Sequence, residues 1–147
     1  MSYQHILVPI DGSDISYSAI RHAAEIAKTF GSKVTAISVV SEDPFAAADF
    51  YYTSAMLKDY VKEAVKNAEE SLVKAEQIAQ QQGITISTQV IKDAVSAETV
   101  VATAEELKTD LIVIGSHGRK GFQKFFLGSF AQDVLNHTQL PVLIVKQ

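Results

Sequence analysis

The chain has 147 residues, of which 47% are hydrophobic and 20% charged, with a formal net charge of -4 and no cysteine. That is about one domain with a sizeable core, too apolar to be disordered and too acidic for a nucleic-acid surface, since Arg119, Lys120 and Lys124 form the only short basic cluster. The missing thiols exclude disulfides, thiolate nucleophiles and Cys-based zinc sites; the opening MSYQHILVPIDGS lacks a basic n-region and is cut by Pro9 and Asp11 before a signal or membrane segment is complete, so the expectation is one cytoplasmic domain over residues 1–147 with no membrane partner.

The first element is the run HILVPI (5–10), short, β-branched and bounded by turn residues, which reads as a strand. A helix follows over 14–30, with Ile20, Ala23, Ala24 and Ala27 on one stripe and Gly31 to stop it. KVTAISVV (33–40) is a second strand. The segment 41–54, SEDPFAAADFYYTS, is irregular, yet Phe45, Phe50, Tyr51 and Tyr52 make it too apolar for a plain solvent loop, so a lid or an interface is the expectation. A long helix then carries Leu57, Val61, Ala64, Val65, Ala68, Leu72, Ala75 and Ile78 at helical spacing and ends before Gly83.

ITISTQVI (84–91) alternates in polarity and suits a sheet edge. The helix SAETVVATAEELK (96–108) offers Ser96 as N-cap, Glu98 in its first turn and a stripe of Val100, Val101, Ala104 and Leu107. LIVIG (111–115) and PVLIV (141–145) are further strands, with a last helix over about 130–136 between them. The runs at 5–10, 111–115 and 141–145 are continuously apolar, which predicts burial on both faces of a parallel sheet. Strand and helix alternate throughout, and right-handed crossovers then give a doubly wound α/β sheet.

Between the strand at 111–115 and the last helix lies GSHGRKGFQKFFLGSFAQ, in the context where glycines let backbone N–H groups approach an anion. No G-x-G-x-x-G and no G-x-x-x-x-G-K-[ST] can be drawn through it. What does occur is Gly115, two residues, Gly118, nine residues, then Gly128 and Ser129.

That spacing resembles the G-x2-G-x9-G-[ST] motif of the ATP-binding members of the universal stress protein family. The resemblance extends over nearly the whole chain through ILVPIDGS, DLIVIGSHGR, LGS and LPVLIVK, in the family's order and spacing. It implies a Rossmann-like five-stranded parallel sheet in the order 3-2-1-4-5, with helices on both faces. Its ligand crevice falls where the first and fourth strands diverge. Carried over by position, adenine and ribose fall to Pro9, Asp11 and the backbone of Val39. The phosphates fall to Gly115, Ser116, His117, Gly118, Gly128, Ser129, Phe130 and Ala131. ATP or another adenine nucleotide is thereby implied as ligand, with Mg2+ accompanying it and Asp11 as its candidate contact. The resemblance also implies a homodimer through the last strand. Phe130 and Ala131 depart from the family, which often has Val and then a small or hydroxylated residue there.

Plainer roles compete for the same residues. Ser129 with Gln132 forms a capping-box pattern, Asp11 can turn the chain into the first helix, and His117 can be a solvated loop histidine. Arg119, Lys120 and Lys124 fit a surface charge run, while Phe122, Phe125 and Phe126 fit core packing at helical spacing. His5, His22, His117 and His137 are scattered, with no H-E-x-x-H and no nucleophile elbow, so no catalytic constellation emerges. The expected function is a nucleotide-dependent regulatory or interaction module in the stress response. The alternatives are a slow ATPase, since phosphoryl transfer needs mainly positioning and charge, and an interaction protein that binds no nucleotide.

Overall fold

The computed structural model describes residues 2–42, 53–117 and 127–146. Its elements alternate as the sequence pattern requires: β1 (His5–Pro9), α1 (Asp14–Phe30), β2 (Lys33–Val40), α2 (Ser54–Gln81), β3 (Ser87–Lys92), α3 (Ala97–Glu106), β4 (Leu111–Gly115), α4 (Ser129–His137) and β5 (Val142–Val145). The five strands form one sheet in the order β3-β2-β1-β4-β5, every neighbouring pair parallel. Residues 43–52, most of the aromatic segment, lie outside the described residues. So do Gly118, Arg119, Lys120, Phe122, Lys124, Phe125 and Phe126.

Alternation of side chains along the central strands divides the core into two layers. Ile6 and Val8 of β1 with Leu111 and Val113 of β4 pack against the alanine-rich face of α1 and against Leu72, Ala75 and Ile78 of α2. Leu7, Ile37, Ile112 and Ile114 face the other way, onto Val100 and Ala104 of α3 and Val134 of α4. The continuous apolar runs of β1 and β4 are therefore buried on both faces, as expected of central parallel strands.

β5 differs from that expectation. It is the edge strand beyond β4 and is only partly buried: Leu143 is 37% exposed, while Val145 on the same face is buried against the α1 layer. An apolar run marks a strand well, but two-sided burial requires neighbours on both sides. β3 holds the opposite edge, as its alternation predicts. It starts at Ser87 rather than at residue 84, because the Ile84 N–H still bonds to the Ala79 carbonyl at 3.0 Å and closes the end of α2.

The helix ends follow local chemistry. Ser13 caps α1, its hydroxyl accepting the Ser16 N–H at 3.3 Å; Thr53 does the same for α2 from Met56 at 3.0 Å, and Ser96 for α3 from Thr99 at 3.3 Å. α2 shows a second departure. Of its apolar stripe only Ala68, Leu72, Ala75, Ile78 and Ala79 are buried, and nothing before Ala68 is. The cause is length. Its 28 residues span about 42 Å at 1.5 Å per residue, whereas the eight residues of β2 beneath it span about 26 Å. The N-terminal part of α2 overhangs the carboxyl ends of the strands and becomes a wall above them. Among the described residues no helix is long and apolar enough to cross a membrane.

Candidate functional site

β1 and β4 leave the sheet on opposite faces: β1 turns into α1, and β4 leads by its loop to α4. At this divergence the structure holds a cavity of about 730 Å3, a size suited to a small ligand. Pro9, Asp11, Val39 and Gly115 line it from the strand ends, His117 and Gly128 from the ends of the glycine loop, and Ser129, Phe130 and Ala131 from the first turn of α4. Gly118 lies outside the described residues.

Asp11 sits where β1 gives way to α1. Its Oδ1 accepts the Ser13 N–H at 2.9 Å and the Ser13 hydroxyl, an Asx-type turn that presents Ser13 as the helix cap. Gly12 between them has φ +82°, a left-handed conformation that favours glycine. The plainer role foreseen for Asp11 is thus filled, while the residue also lines the cavity.

Val39 contributes backbone. The last hydrogen bond from the β1 side of the sheet runs from the Ile10 N–H to the Ile37 carbonyl at 2.7 Å. Backbone groups alternate sides along a strand, so the N–H and C=O of Val39 point the same way as those of Ile37, into the crevice left where β1 has turned away. They offer one donor and one acceptor side by side.

The glycine loop is pinned at both ends. The Ser116 N–H bonds to the Val145 carbonyl at 2.8 Å, and the Ser116 carbonyl accepts the Gly128 N–H at 2.6 Å. A Cβ on Gly128 would lie 2.8 Å from that carbonyl oxygen, and one on Gly115 would lie 2.9 Å from Cγ1 of Ile15. Both glycines are required by close packing, and the Gly128 N–H is already taken. Ser116 is a buried tie behind the cavity wall, its hydroxyl 3.1 Å from Nδ1 of His117.

α4 begins one residue earlier than the capping-box pattern implies. Gly128 is its N-cap, Ser129 is its first helical residue, and no side chain caps it; Gln132 instead donates from Nε2 to the Leu127 carbonyl at 3.0 Å. Anchoring Gly128 to Ser116 sets this start. The first turn consequently aims the N–H groups of Ser129, Phe130 and Ala131 at the cavity, where the helix dipole also favours negative charge. Phe130 forms the mouth, 38% exposed, and Ala131 is buried.

The sequence reading missed Ser16, Ser38, Tyr60, Asn67 and Val95, which line the same cavity. Two weak signals were present: Ser38 is a lone hydroxyl late in an apolar strand, and Asn67 stands between Ala64 and Ala68 on a helix. Among the described residues no group of three or more His, Asp or Glu side chains is placed to hold a metal. A hard cation here would be held by ligand oxygens and the Asp11 carboxylate, a donor set that suits Mg2+.

Residues 2–146 match the model of the universal stress protein family. The chain belongs to this family. A universal stress protein of Methanocaldococcus jannaschii is 37% identical over 145 residues, covering 99% of this chain and 83% of that one. The fold superposes on universal stress protein UspA of Lactobacillus plantarum with a TM-score of 0.83 at 24% identity, over 99% of both chains. A universal stress protein of Archaeoglobus fulgidus, solved in complex with dAMP, is similar with a TM-score of 0.72 and 25% identity, again over 99% of both chains. The universal stress protein sheet order, expected from the resemblance, is the order observed.

Proposed function

We propose that this protein binds an adenine nucleotide in the cavity at the β1 and β4 carboxyl ends and acts as a nucleotide-dependent regulatory or interaction module. One observation carries the reading: the first-turn N–H groups of α4 and the outward backbone edge of Val39 face the same cavity from opposite ends. The helix turn suits phosphate, and a paired donor and acceptor suits the N1 and N6 edge of adenine. The dAMP bound by the Archaeoglobus fulgidus relative supports the same ligand class.

In the finer form of the proposal the ligand is ATP with Mg2+. Asp11 then meets the ribose or the metal, Ser129, Phe130 and Ala131 donate backbone N–H groups to phosphate, and His117 donates from the other side. The Ser129 hydroxyl is not engaged as helix cap, which favours its use on phosphate. Two copies pair through β5, in one domain working in the cytoplasm.

Isothermal titration calorimetry with AMP and with ATP, each with and without Mg2+, tests the reading, alongside mass spectrometry of any ligand released from purified protein. Expected are saturable binding of adenine nucleotide and its loss in Gly118→Val, which puts a branched side chain in the glycine spacing. No binding by wild type, or equal affinity in both proteins, would overturn the assignment.

A further inference from the structure

One side of the cavity is walled by the overhanging part of α2 and by β2, away from the glycine loop. Ser38, Asn67 and Ser71 bring polar groups to it, and the carboxylate of Asp11 and the imidazole of His117 belong to the loops across from this wall. The lobe is neutral.

Its polar groups differ in what they already hold. The Ser71 hydroxyl donates to the Asn67 carbonyl at 2.9 Å. Among the described residues the Asn67 side-chain amide and the Ser38 hydroxyl take no protein hydrogen bond, and both residues line the cavity. Ser38 is only 7% exposed in a strand whose neighbours are apolar. No fully enclosed side-chain nitrogen or oxygen among the described residues lacks a partner, so the residual exposure of Ser38 includes its oxygen. A ligand hydrogen bond gives this nearly enclosed hydroxyl the partner that the protein does not supply.

The surroundings specify the shape of that ligand. Ala64 and Ala68 flank Asn67 along α2 and leave a shallow, smooth wall, while Ile37, Val39 and Val100 supply apolar surface opposite. A flat body with apolar faces and a polar edge fits; a phosphate does not. An Asn side chain pairs with adenine through N6 and N7, its Oδ1 accepting from the amine and its Nδ2 donating to the ring nitrogen. That edge is distinct from the N1 and N6 edge that the Val39 backbone addresses.

We propose that Asn67, with Ser38 lining the same cavity, reads the N6 and N7 edge of the adenine base and so determines base specificity. This rests on the adenine-nucleotide reading above, and the test separates the two. AMP and 7-deaza-AMP, which lacks the N7 acceptor, are titrated into wild type, Asn67→Leu and Ser38→Ala, with thermal unfolding of each variant recorded. Leu is a strong helix former at an exposed helical position, so Asn67→Leu is expected to fold normally. Wild type is expected to prefer AMP by about tenfold, the worth of one hydrogen bond, and Asn67→Leu to bind both nucleotides alike. Ser38→Ala is expected to weaken AMP by a similar or smaller factor. Failure of wild type to bind AMP would overturn the nucleotide reading itself. Wild type that binds both alike, or Asn67→Leu that weakens both by one factor or neither, would overturn this inference and leave that reading standing.

Discussion

The Gly128 N–H donates to the Ser116 carbonyl at 2.6 Å, joining the residue after β4 to the N-cap of α4. This contact fixes where the first turn of α4 points. Gly128→Ala places a methyl 2.8 Å from the same oxygen, which is backbone and cannot rotate aside. The expected cost is about 1–3 kcal/mol, as for other overpacked sites, together with weaker nucleotide binding because α4 is displaced. Chemical denaturation and calorimetry on one preparation check both effects; a variant as stable as wild type would contradict the packing argument.

Gly115 makes a useful contrast. A Cβ added there would lie 2.9 and 3.0 Å from Cγ1 and Cγ2 of Ile15, which are side-chain atoms on α1. Gly115→Ala should destabilise, and Ile15→Val, which removes only the Cδ1 methyl, should restore little; Ile15→Ala in the same chain should relieve the clash. A double-mutant cycle by urea denaturation is expected to show positive coupling between positions 115 and 15, of about 0.5–3 kcal/mol. Strict additivity would mean that the clash is absorbed elsewhere.

His5 predicts a pH dependence at the far end of the sheet. Its Nδ1 lies 3.0 Å from the Leu107 carbonyl, which only accepts, so Nδ1 carries the proton; Nε2 then accepts from the Thr35 hydroxyl at 2.7 Å. Burial, only partly offset by the Leu107 carbonyl, holds the imidazole below its ordinary 6.5. The unfolded chain therefore takes up a proton at a higher pH than the folded one, and stability falls as pH drops below about 6.5 toward the folded value. Thermal unfolding from pH 7.5 to 5 should show this loss in wild type and a smaller one in His5→Gln. Equal slopes would rule out His5 as its source.

How much of this was legible in the sequence depended on whether the signal was local. The runs 5–10 and 111–115 carry their own strand signature, and Ser96 and Gly31 mark helix ends through groups one turn away, so these elements were readable. The glycine spacing located the crevice. What could not be read depends on contacts distant in the chain. Ser129 and Gln132 match a capping box, but α4 starts at Ser129 because Gly128 is held by Ser116, twelve residues earlier. Asn67 lines the cavity only because α2 outruns β2, a relation between two elements that neither segment carries by itself. The buried-on-both-faces reading of 141–145 failed because a strand's composition does not say whether a neighbour stands beyond it.

The final prediction concerns that edge. In the observed order β5 pairs with β4 on one side only, and its protection is slight: Pro141 precedes it, Lys146 follows it, and the strand between is uncharged VLIV. Two copies related by a two-fold axis can pair these edges in antiparallel fashion, a closed and self-complementary arrangement. The side chains show where to probe it. Val145 is 4% exposed and packs into the α1 layer, so a charge there would damage the fold itself, whereas Leu143, on the same face two residues earlier, is 37% exposed. Leu143→Lys puts a charge beside the seam at little cost to the monomer. Sedimentation equilibrium is expected to give a dimer for wild type at micromolar concentration and a shift toward monomer for Leu143→Lys, with unfolding temperature tracked to confirm that the monomer is folded. A wild type that sediments as a monomer, or a dimer indifferent to the lysine, would exclude pairing through β5.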